Sequence, residues 1–325
     1  MYIVEFTGEQ KTMPLAELRG ILEGENVRYN YFADFPVSVF SDIKNIEKRA
    51  AFTRTVSNYL FQSELDSTVR KMKDIDFHAN SFAVRIKDYS TKNVDTRALE
   101  KKIGDIYYKK VNLNDPEKVI RVLVTDESVY AGFMIYNGFN KSIRERRNEN
   151  RPFRTNLSLS PNYARFLVNL ARVKEKNTIL DPFCGGGSIL IEASAMGINA
   201  NGTDIDRDMV QGAKMNLEHF GLDASVYQGD VSKISDYFGT LDAIVTDPPY
   251  GRSAFINKEN VPELYDRSFR EFKKIVKFGG FISIILPHYD HIKIGSRYFK
   301  LMEYHKLKVH RSLDRYFCVF KNVQD

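Results

Sequence analysis

Residues 178–193 read TILDPFCGGGSILIEA, residues 198–206 INANGTDID, residues 226–231 VYQGDV and residues 241–253 LDAIVTDPPYGRS. Each stretch is an apolar run that closes on an acid at a turn: Asp181, Asp204, Asp230 and Asp247. That rhythm predicts an α/β fold built on parallel strands, with ligands gathered at their carboxyl ends.

In the first stretch, Gly185, Gly186 and Gly187 let the backbone approach a ligand before a helix begins at Ser188. An ordinary tight strand-to-helix turn would read the same way. A dinucleotide fingerprint is excluded, because Leu190 stands where G-x-G-x-x-G requires its third glycine. A phosphate loop is excluded as well, since no Gly-Lys-Ser/Thr follows. Asp181 ahead of the glycines would repel a pyrophosphate and suits a cationic centre. Asp181, Phe183, Gly185 and Gly187 are therefore candidate ligand contacts. Asp204, followed by Ile205, can accept both hydroxyls of a ribose. Asp206 begins the next helix, either as its N-cap or as a further ligand. Asp230, before Val231, is either a solvated loop acid or an acceptor for an exocyclic adenine amine.

Asp247-Pro248-Pro249-Tyr250 follows the apolar strand Ala243-Ile244-Val245. Two prolines fix the backbone and remove two N–H donors, so the loop offers only acceptors. Tyr250 adds a flat face on which a base can stack. An acceptor clamp beside an aromatic platform suits a planar NH2 group held in line with an electrophile, with charge developing on nitrogen.

These residues resemble the class I S-adenosylmethionine-dependent methyltransferases of exocyclic amines, whose signature is Asp/Asn-Pro-Pro-Tyr/Phe. DPFCGGGSILIEA, TDPPYGRS and HRSLDRYF (residues 310–317) are similar to the THUMP-domain tRNA (guanosine-N2)-methyltransferases. The likeness covers essentially the whole chain and points to the archaeal branch that modifies guanosine 10 of tRNA. It implies a Rossmann-like catalytic domain with an N-terminal α+β THUMP-type RNA-binding domain. It also implies a catalytic sheet that ends in an antiparallel hairpin. The cofactor would be S-adenosylmethionine, leaving as S-adenosylhomocysteine, with no metal. Asp181 and the Gly185 loop would lie near its methionine end, Asp204 on the ribose and Asp230 near the adenine. The target guanine would be rotated out of its helix. Asp247 and the Pro248 carbonyl would hold its amine, Pro249 would stiffen the loop and Tyr250 would stack on the ring. Whether Asp247 takes the proton or orients the amine stays open, as does mono- against dimethylation. One departure stands out: Gly186 and Ser188 replace residues of the usual Gly-Thr-Gly-Gly.

Composition sets the outer bounds. The 325 residues are 43% hydrophobic, enough for the cores of two or three domains. No run approaches the roughly 20 apolar residues of a membrane span. The opening MYIVEFTGEQ carries an acid and is strand-like, unlike a signal peptide. Cys184 and Cys318 read as core fillers in a reducing cytoplasm. A net charge of +6 suits a polyanionic partner, here tRNA, with no protein partner required and a monomer sufficient.

In chain order, residues 1–42 are expected to form an α+β subdomain with a helix at Leu15–Leu22. Residues 43–138 are expected to be the RNA-binding domain. In it, Ile43, Ile46, Ala50, Thr53 and Leu60 fall near helical spacing, while Phe82, Val84 and Ile86 alternate as a strand. Its basic residues, Lys101 and Lys102 among them, fit either a phosphate-tracking surface or the outer face of an amphipathic helix. Residues 139–157 are expected to be a basic linker, with Arg144, Arg146, Arg147, Arg151 and Arg154 on the RNA backbone and Phe153 as an aromatic among them. The alternative is a solvated strap. Residues 158–325 are the expected catalytic domain, opened by Ser160-Pro161 as a helix start. A helix at Leu264–Val276 is expected to end at Gly279-Gly280. His288 and His291 lack the surroundings of a zinc site, and His310, Arg311 and Arg315 are candidate phosphate contacts. Rival functions are an N6-adenine or protein-glutamine methyltransferase, a methyltransferase of another tRNA or rRNA guanosine, and an RNA-binding protein with a relic cofactor fold.

Overall fold

The computed structural model describes residues 1–7, 10–138, 141–156, 158–250, 260–310 and 313–323. The chain divides into two compact units. One comprises Met1–Pro14, Val27–Glu47 and Phe52–Phe139, the other Leu15–Asn26, Lys48–Ala51 and Asn140–Asp325.

The N-terminal half runs β1 (Tyr2–Phe6), α1 (Met13–Gly24), β2 (Tyr31–Asp34), β3 (Val37–Phe40), α2 (Ile46–Arg49), β4 (Thr53–Ser63), α3 (Leu65–Met72), β5 (Ser81–Asp88), α4 (Thr96–Gly104), β6 (Lys110–Val111), β7 (Lys118–Val124) and β8 (Val129–Asn137). Its strands form one mixed eight-stranded sheet in the order β2-β3-β1-β4-β8-β7-β5-β6. The expected boundary after residue 42 therefore falls inside a sheet, since β1 pairs with both β3 and β4. Helical spacing also misread residues 53–60, which lie in the long strand β4. Thr53, Thr55, Val56, Tyr59 and Phe61 are β-branched or aromatic, and cross-strand pairing with β1 and β8 overrides the weak periodicity. Leu99 and Ile103 of α4 pack on Phe82, Val84, Ile120 and Val122, with Asp95 capping the helix through the Ala98 N–H.

The second half runs α5 (Lys141–Glu145), α6 (Pro161–Leu170), β9 (Thr178–Asp181), α7 (Ser188–Ala195), β10 (Asn199–Asp204), α8 (Arg207–His219), β11 (Ser225–Gln228), α9 (Ile234–Tyr237), β12 (Leu241–Thr246), α10 (Val261–Ile275), β13 (Val276–Leu286), α11 (Tyr289–Gly295), β14 (Lys300–His310) and β15 (Leu313–Lys321). The seven strands lie in the order β11-β10-β9-β12-β13-β15-β14. β11 to β13 are parallel, and β15 and β14 close the sheet antiparallel, as the resemblance implied. Strand order reverses between β9 and β12, and their carboxyl ends frame the crevice of an open α/β sheet. Helix α10 stops at Ile275, earlier than expected, and Gly279 (φ +77°) and Gly280 lie inside β13. A Cβ on Gly280 would stand 2.7 Å from the Asp242 carbonyl oxygen, so this bulged crossing requires glycine.

Helix α1, expected with the first strands, instead belongs to the second unit. Its Glu17 carboxylate accepts from the Ala51 N–H at 3.0 Å and from Asn169 Nδ2 of α6 at 3.0 Å. Asn169 Oδ1 in turn accepts from Arg49 Nε and Nη2. The helices approach so closely that a Cβ on Gly20 would lie 2.4 Å from the Asn169 carbonyl.

Candidate active site

The carboxyl ends of β9, β10 and β12 carry Asp181, Asp204 and Asp247 side by side. Asp181 is buried and accepts from the Thr246 hydroxyl at 2.7 Å and the Phe183 N–H at 3.2 Å. Burial raises its pKa to about 7, and the nearby charges of Asp204 and Asp247 push the same way. Asp204 Oδ2 accepts from the Gly185 N–H at 2.8 Å and Oδ1 from the Asp206 N–H at 3.0 Å. Its pKa is also raised, chiefly by burial. Each of its oxygens keeps further lone-pair capacity for a hydroxyl. Neighbouring carboxylates whose ionisation burial discourages are the kind of cluster found at functional sites.

The glycine loop lies against these acids, its Gly185 N–H donating to Asp204. Gly185 (φ +49°) and Gly187 (φ +84°) are left-handed, and Gly187 is the N-cap of α7. A Cβ on Gly185 would meet no atom within 4 Å, so the loop presents bare backbone to open space. Phe183 packs partly on the core, Val231 is buried in it, and Ile205 is exposed. Asp206 is the N-cap of α8, accepting from the Asp208 N–H. Cys184 is buried and its thiol is pushed well up by that burial, which leaves it a filler. Asp230 caps the turn after β11 through the Ser232 N–H and is held by Arg267 Nη1 at 2.5 Å. Burial opposes its ionisation, yet the Arg267 and Ser232 hydrogen bonds keep its carboxyl below the usual range. Arg267, on α10, carried no signal in the sequence beyond helical spacing.

Asp247 completes the group. Its Oδ1 is buried and has no hydrogen-bond partner among the described residues. Burial raises its pKa to about 6, while the Arg315 guanidinium pulls it down. The Pro249 carbonyl accepts from Tyr265 Oη of α10 at 3.3 Å, which fixes the loop from below. Tyr250 Oη accepts from Arg315 Nε of β15 at 2.7 Å, and the guanidinium carbon lies 5.8 Å from the ring centroid. Arg315, expected on phosphate, thus turns inward to the loop. Gly251, Arg252, Ser253 and Arg311, and the side chains of Lys141 and His310, lie outside the described residues.

The basic segment is corrected in two places. Arg146 is buried and forms a two-pronged ion pair with Glu192 of α7, Nε–Oε1 2.7 Å and Nη2–Oε2 3.0 Å. Arg151, 1% exposed, donates to the Arg146 carbonyl and to Ser188 Oγ at 2.7 Å. Neither is exposed to a phosphate in solution: both guanidinium groups are buried and held by fixed acceptors, although Arg151 Nη2 has no partner among the described residues. Phe153 is an anchor too: its N–H and carbonyl bond Asn216 of α8, and its ring fills the space over Gly212, where a Cβ would clash at 2.1 Å. Ser188, one of the departures from the family pattern, is therefore a strap contact, and a Cβ on Gly186 would face Phe153, Thr155 and Asn216.

Arg144, Arg147 and Arg154 remain exposed, as do Lys101 and Lys102 on α4. Replacing Arg144 and Arg147 together by alanine is expected to weaken RNA binding at every sequence and to lower the slope of log Kd against log salt by about 1–2. An unchanged slope in a salt titration would return these arginines to a solvated surface.

Comparison with known proteins places this geometry. A family model described as RMKL-like, methyltransferase domain, matches residues 148–316. A second, described as DNA methylase, matches residues 25–215 and so ends before Asp230 and the Asp247 loop. The tRNA (guanine(10)-N2)-dimethyltransferase of Methanothermobacter thermautotrophicus is 34% identical over 339 residues, covering 99% of each chain. Among solved structures, TrmN from Thermus thermophilus superposes with a TM-score of 0.57 at 18% identity, covering 99% of each chain. SMU.472 complexed with SAH gives a TM-score of 0.56 at 15% identity, covering 100% of this chain and 98% of the other. These two superpositions establish the fold alone.

Proposed function

The chain belongs to the tRNA (guanine(10)-N2)-dimethyltransferase family, and from that membership and the Asp247 loop we infer that it methylates the N2 amine of guanosine 10 in tRNA. The observation that carries the chemistry is the buried Asp247 Oδ1, an acceptor without a partner among the described residues.

We assign the cleft to S-adenosylmethionine, which when bound supplies an electrophilic methyl group on a cationic sulfur. Asp204 would hold its ribose hydroxyls, the Gly185 loop its methionine end and Asp230 its adenine side, while Ile205 offers an exposed apolar flank. Asp181, Asp204 and Asp247 favour a cation among them, and such a cation would lower the pKa values that burial has raised.

Asp247 Oδ1 and the Pro248 carbonyl accept the two N–H bonds of the amine and set its nitrogen in line for transfer. As the nitrogen gains positive charge, the carboxylate stabilises it without reorganising. Tyr250 stacks on the base, and Arg315 fixes the phenol. A paired guanine cannot reach this loop, so the base must leave its helix. In this reading the eight-stranded unit is a THUMP-type RNA-binding domain, with Lys101 and Lys102 on its surface, in a cytoplasmic enzyme. No helix among the described residues is long and apolar enough to cross a membrane.

Methyl transfer from labelled S-adenosylmethionine to an unmodified tRNA transcript, followed by nucleoside mass spectrometry, tests the inference. N2-methylated guanosine that vanishes when position 10 is changed to adenosine is expected; methylguanosine that persists would move the target elsewhere.

The pH dependence follows from the groups around Asp247. Arg315 reaches it from β15, Asp181 from β9, Tyr265 from α10 and Tyr250 from its own loop. Of these only Arg315 lowers its pKa. An ionised Asp247 is needed, so kcat/KM, which reports the free enzyme, should fall as pH drops through about 6. Arg315→Gln removes the one opposing charge and should move that acid limb to higher pH, with Arg315→Lys moving it less. A pH–rate profile unmoved by both substitutions would rule out the electrostatic role of Arg315.

A further inference from the structure

Three tyrosines gather at the outer edge of the catalytic sheet, away from the acids. Tyr289 opens α11, Tyr304 lies on the edge strand β14 and Tyr316 on β15. Their ring centroids stand 5.6 Å (289–304), 6.2 Å (289–316) and 6.2 Å (304–316) apart, edge-on or tilted. Tyr289 is 50% and Tyr304 43% exposed, so edge contact within the cluster leaves broad ring surface open to solvent. Alternation along β14 puts Tyr304, Lys306 and Lys308 in one exposed row beyond the bulge at Met302; Lys306 Nζ lies 5.7 Å from the Tyr316 centroid and 2.8 Å from Asp314 Oδ2. Core packing does not account for exposed aromatic faces lined with lysines. They have the composition of a surface that stacks unpaired bases and tracks phosphates.

Register sets the distance from the acceptor loop. Thr246, just before Asp247, pairs with Ile284 of β13, and Leu286, two residues on, pairs with Tyr316. Tyr316 thus stands at the level of the Asp247 loop, two strands across, on the order of 10 Å away by inter-strand spacing, and Tyr304 lies one strand further out on β14.

We propose that Tyr289, Tyr304 and Tyr316, with Lys306 and Lys308, form a stacking platform for an unpaired nucleotide of the RNA near the target guanosine. The proposal rests on the RNA-substrate reading above. A base splayed onto the rings would hold the strand open beside the rotated guanine, and the lysines would carry its phosphates toward the loop. Tyr304, central and exposed, supplies the principal face.

The test uses the full chain and an unmodified tRNA transcript. Kd for tRNA is measured with Tyr304→Ala, Tyr289→Ala and Tyr304→Phe, alongside Kd for S-adenosylmethionine. Each alanine should weaken tRNA binding about 5- to 100-fold, as loss of one base stack does, while cofactor binding stays at the wild-type value. Tyr304→Phe keeps the ring and should bind as wild type. Lys306→Ala with Lys308→Ala should lower the salt slope by about 1–2. Unchanged tRNA affinity in both alanine variants overturns the platform. So does a phenylalanine variant as weak as alanine, or an equal loss of cofactor binding, which would make the cluster structural. A wild-type chain that neither binds nor methylates tRNA would defeat the substrate reading itself, whatever the variants do.

Discussion

Asp247→Ala is expected to lower kcat for methyl transfer by about 10²–10³-fold or more, the scale of removing one preorganised group aimed at developing charge. The tRNA Kd should stay within about twofold of wild type. Asp247 follows β12, its Oδ1 buried and without a partner among the described residues, so its one contact with the RNA is the target amine and not the wider surface. Its worth lies in the one interaction that strengthens as nitrogen takes on charge, which is why kcat and not affinity carries the loss. The asparagine variant separates two roles. Asp247→Asn keeps an acceptor oxygen and the loop geometry but carries no charge, and its rate should fall between alanine and wild type. Equal loss of turnover and tRNA affinity in the alanine variant would show that the loop grips RNA and that the chemistry lies elsewhere. An asparagine variant as fast as wild type would remove the carboxylate charge from the mechanism and leave orientation alone.

The acids were legible because a parallel strand must end somewhere, and a carboxylate at that end has few structural uses. Asp181, Asp204, Asp230 and Asp247 could thus be placed from the alternation of apolar run and turn, and the hairpin of β14 and β15 from the family likeness. The misreadings share a cause. Charge on Arg146 and Arg151 looks like surface in a sequence, because the partners that bury it, Glu192 and Ser188, lie 46 and 37 residues away. Phe153 looked like a base-stacking ring for the same reason, since nothing local marks Gly212 as its seat. The helix read across Thr53 and Leu60 failed because periodicity is weak evidence beside long-range strand pairing. Arg315 was legible only as a phosphate contact, and Arg267 not at all, until the fold brought β15 to Tyr250 and α10 to Asp230.

Glu192→Gln turns that reassigned strap into a measurement. Glu192 is fully buried on α7 and binds Arg146 from the strap and Arg165 of α6, the latter at 2.9 Å. Glutamine keeps the volume, so no cavity term enters, yet it leaves two buried guanidinium groups facing a neutral amide. Removing one member of such a buried group costs roughly 3–5 kcal/mol, far more than the net worth of the intact pairs. For a unit of this size that lowers Tm by roughly 10 °C. The exposed Arg144→Ala should shift stability by less than about 0.5 kcal/mol. The strap also reaches the cofactor loop, because Arg151 binds Ser188, the first residue of α7, and Gly187 caps the same helix. Loosening Glu192 should therefore weaken S-adenosylmethionine binding as well, at temperatures where the variant is still folded. Thermal melts in which Glu192→Gln and wild type coincide would mean that Arg146 and Arg165 find water when unpaired. The strap would then be a loose linker, and all of its arginines would again be candidates for the RNA backbone.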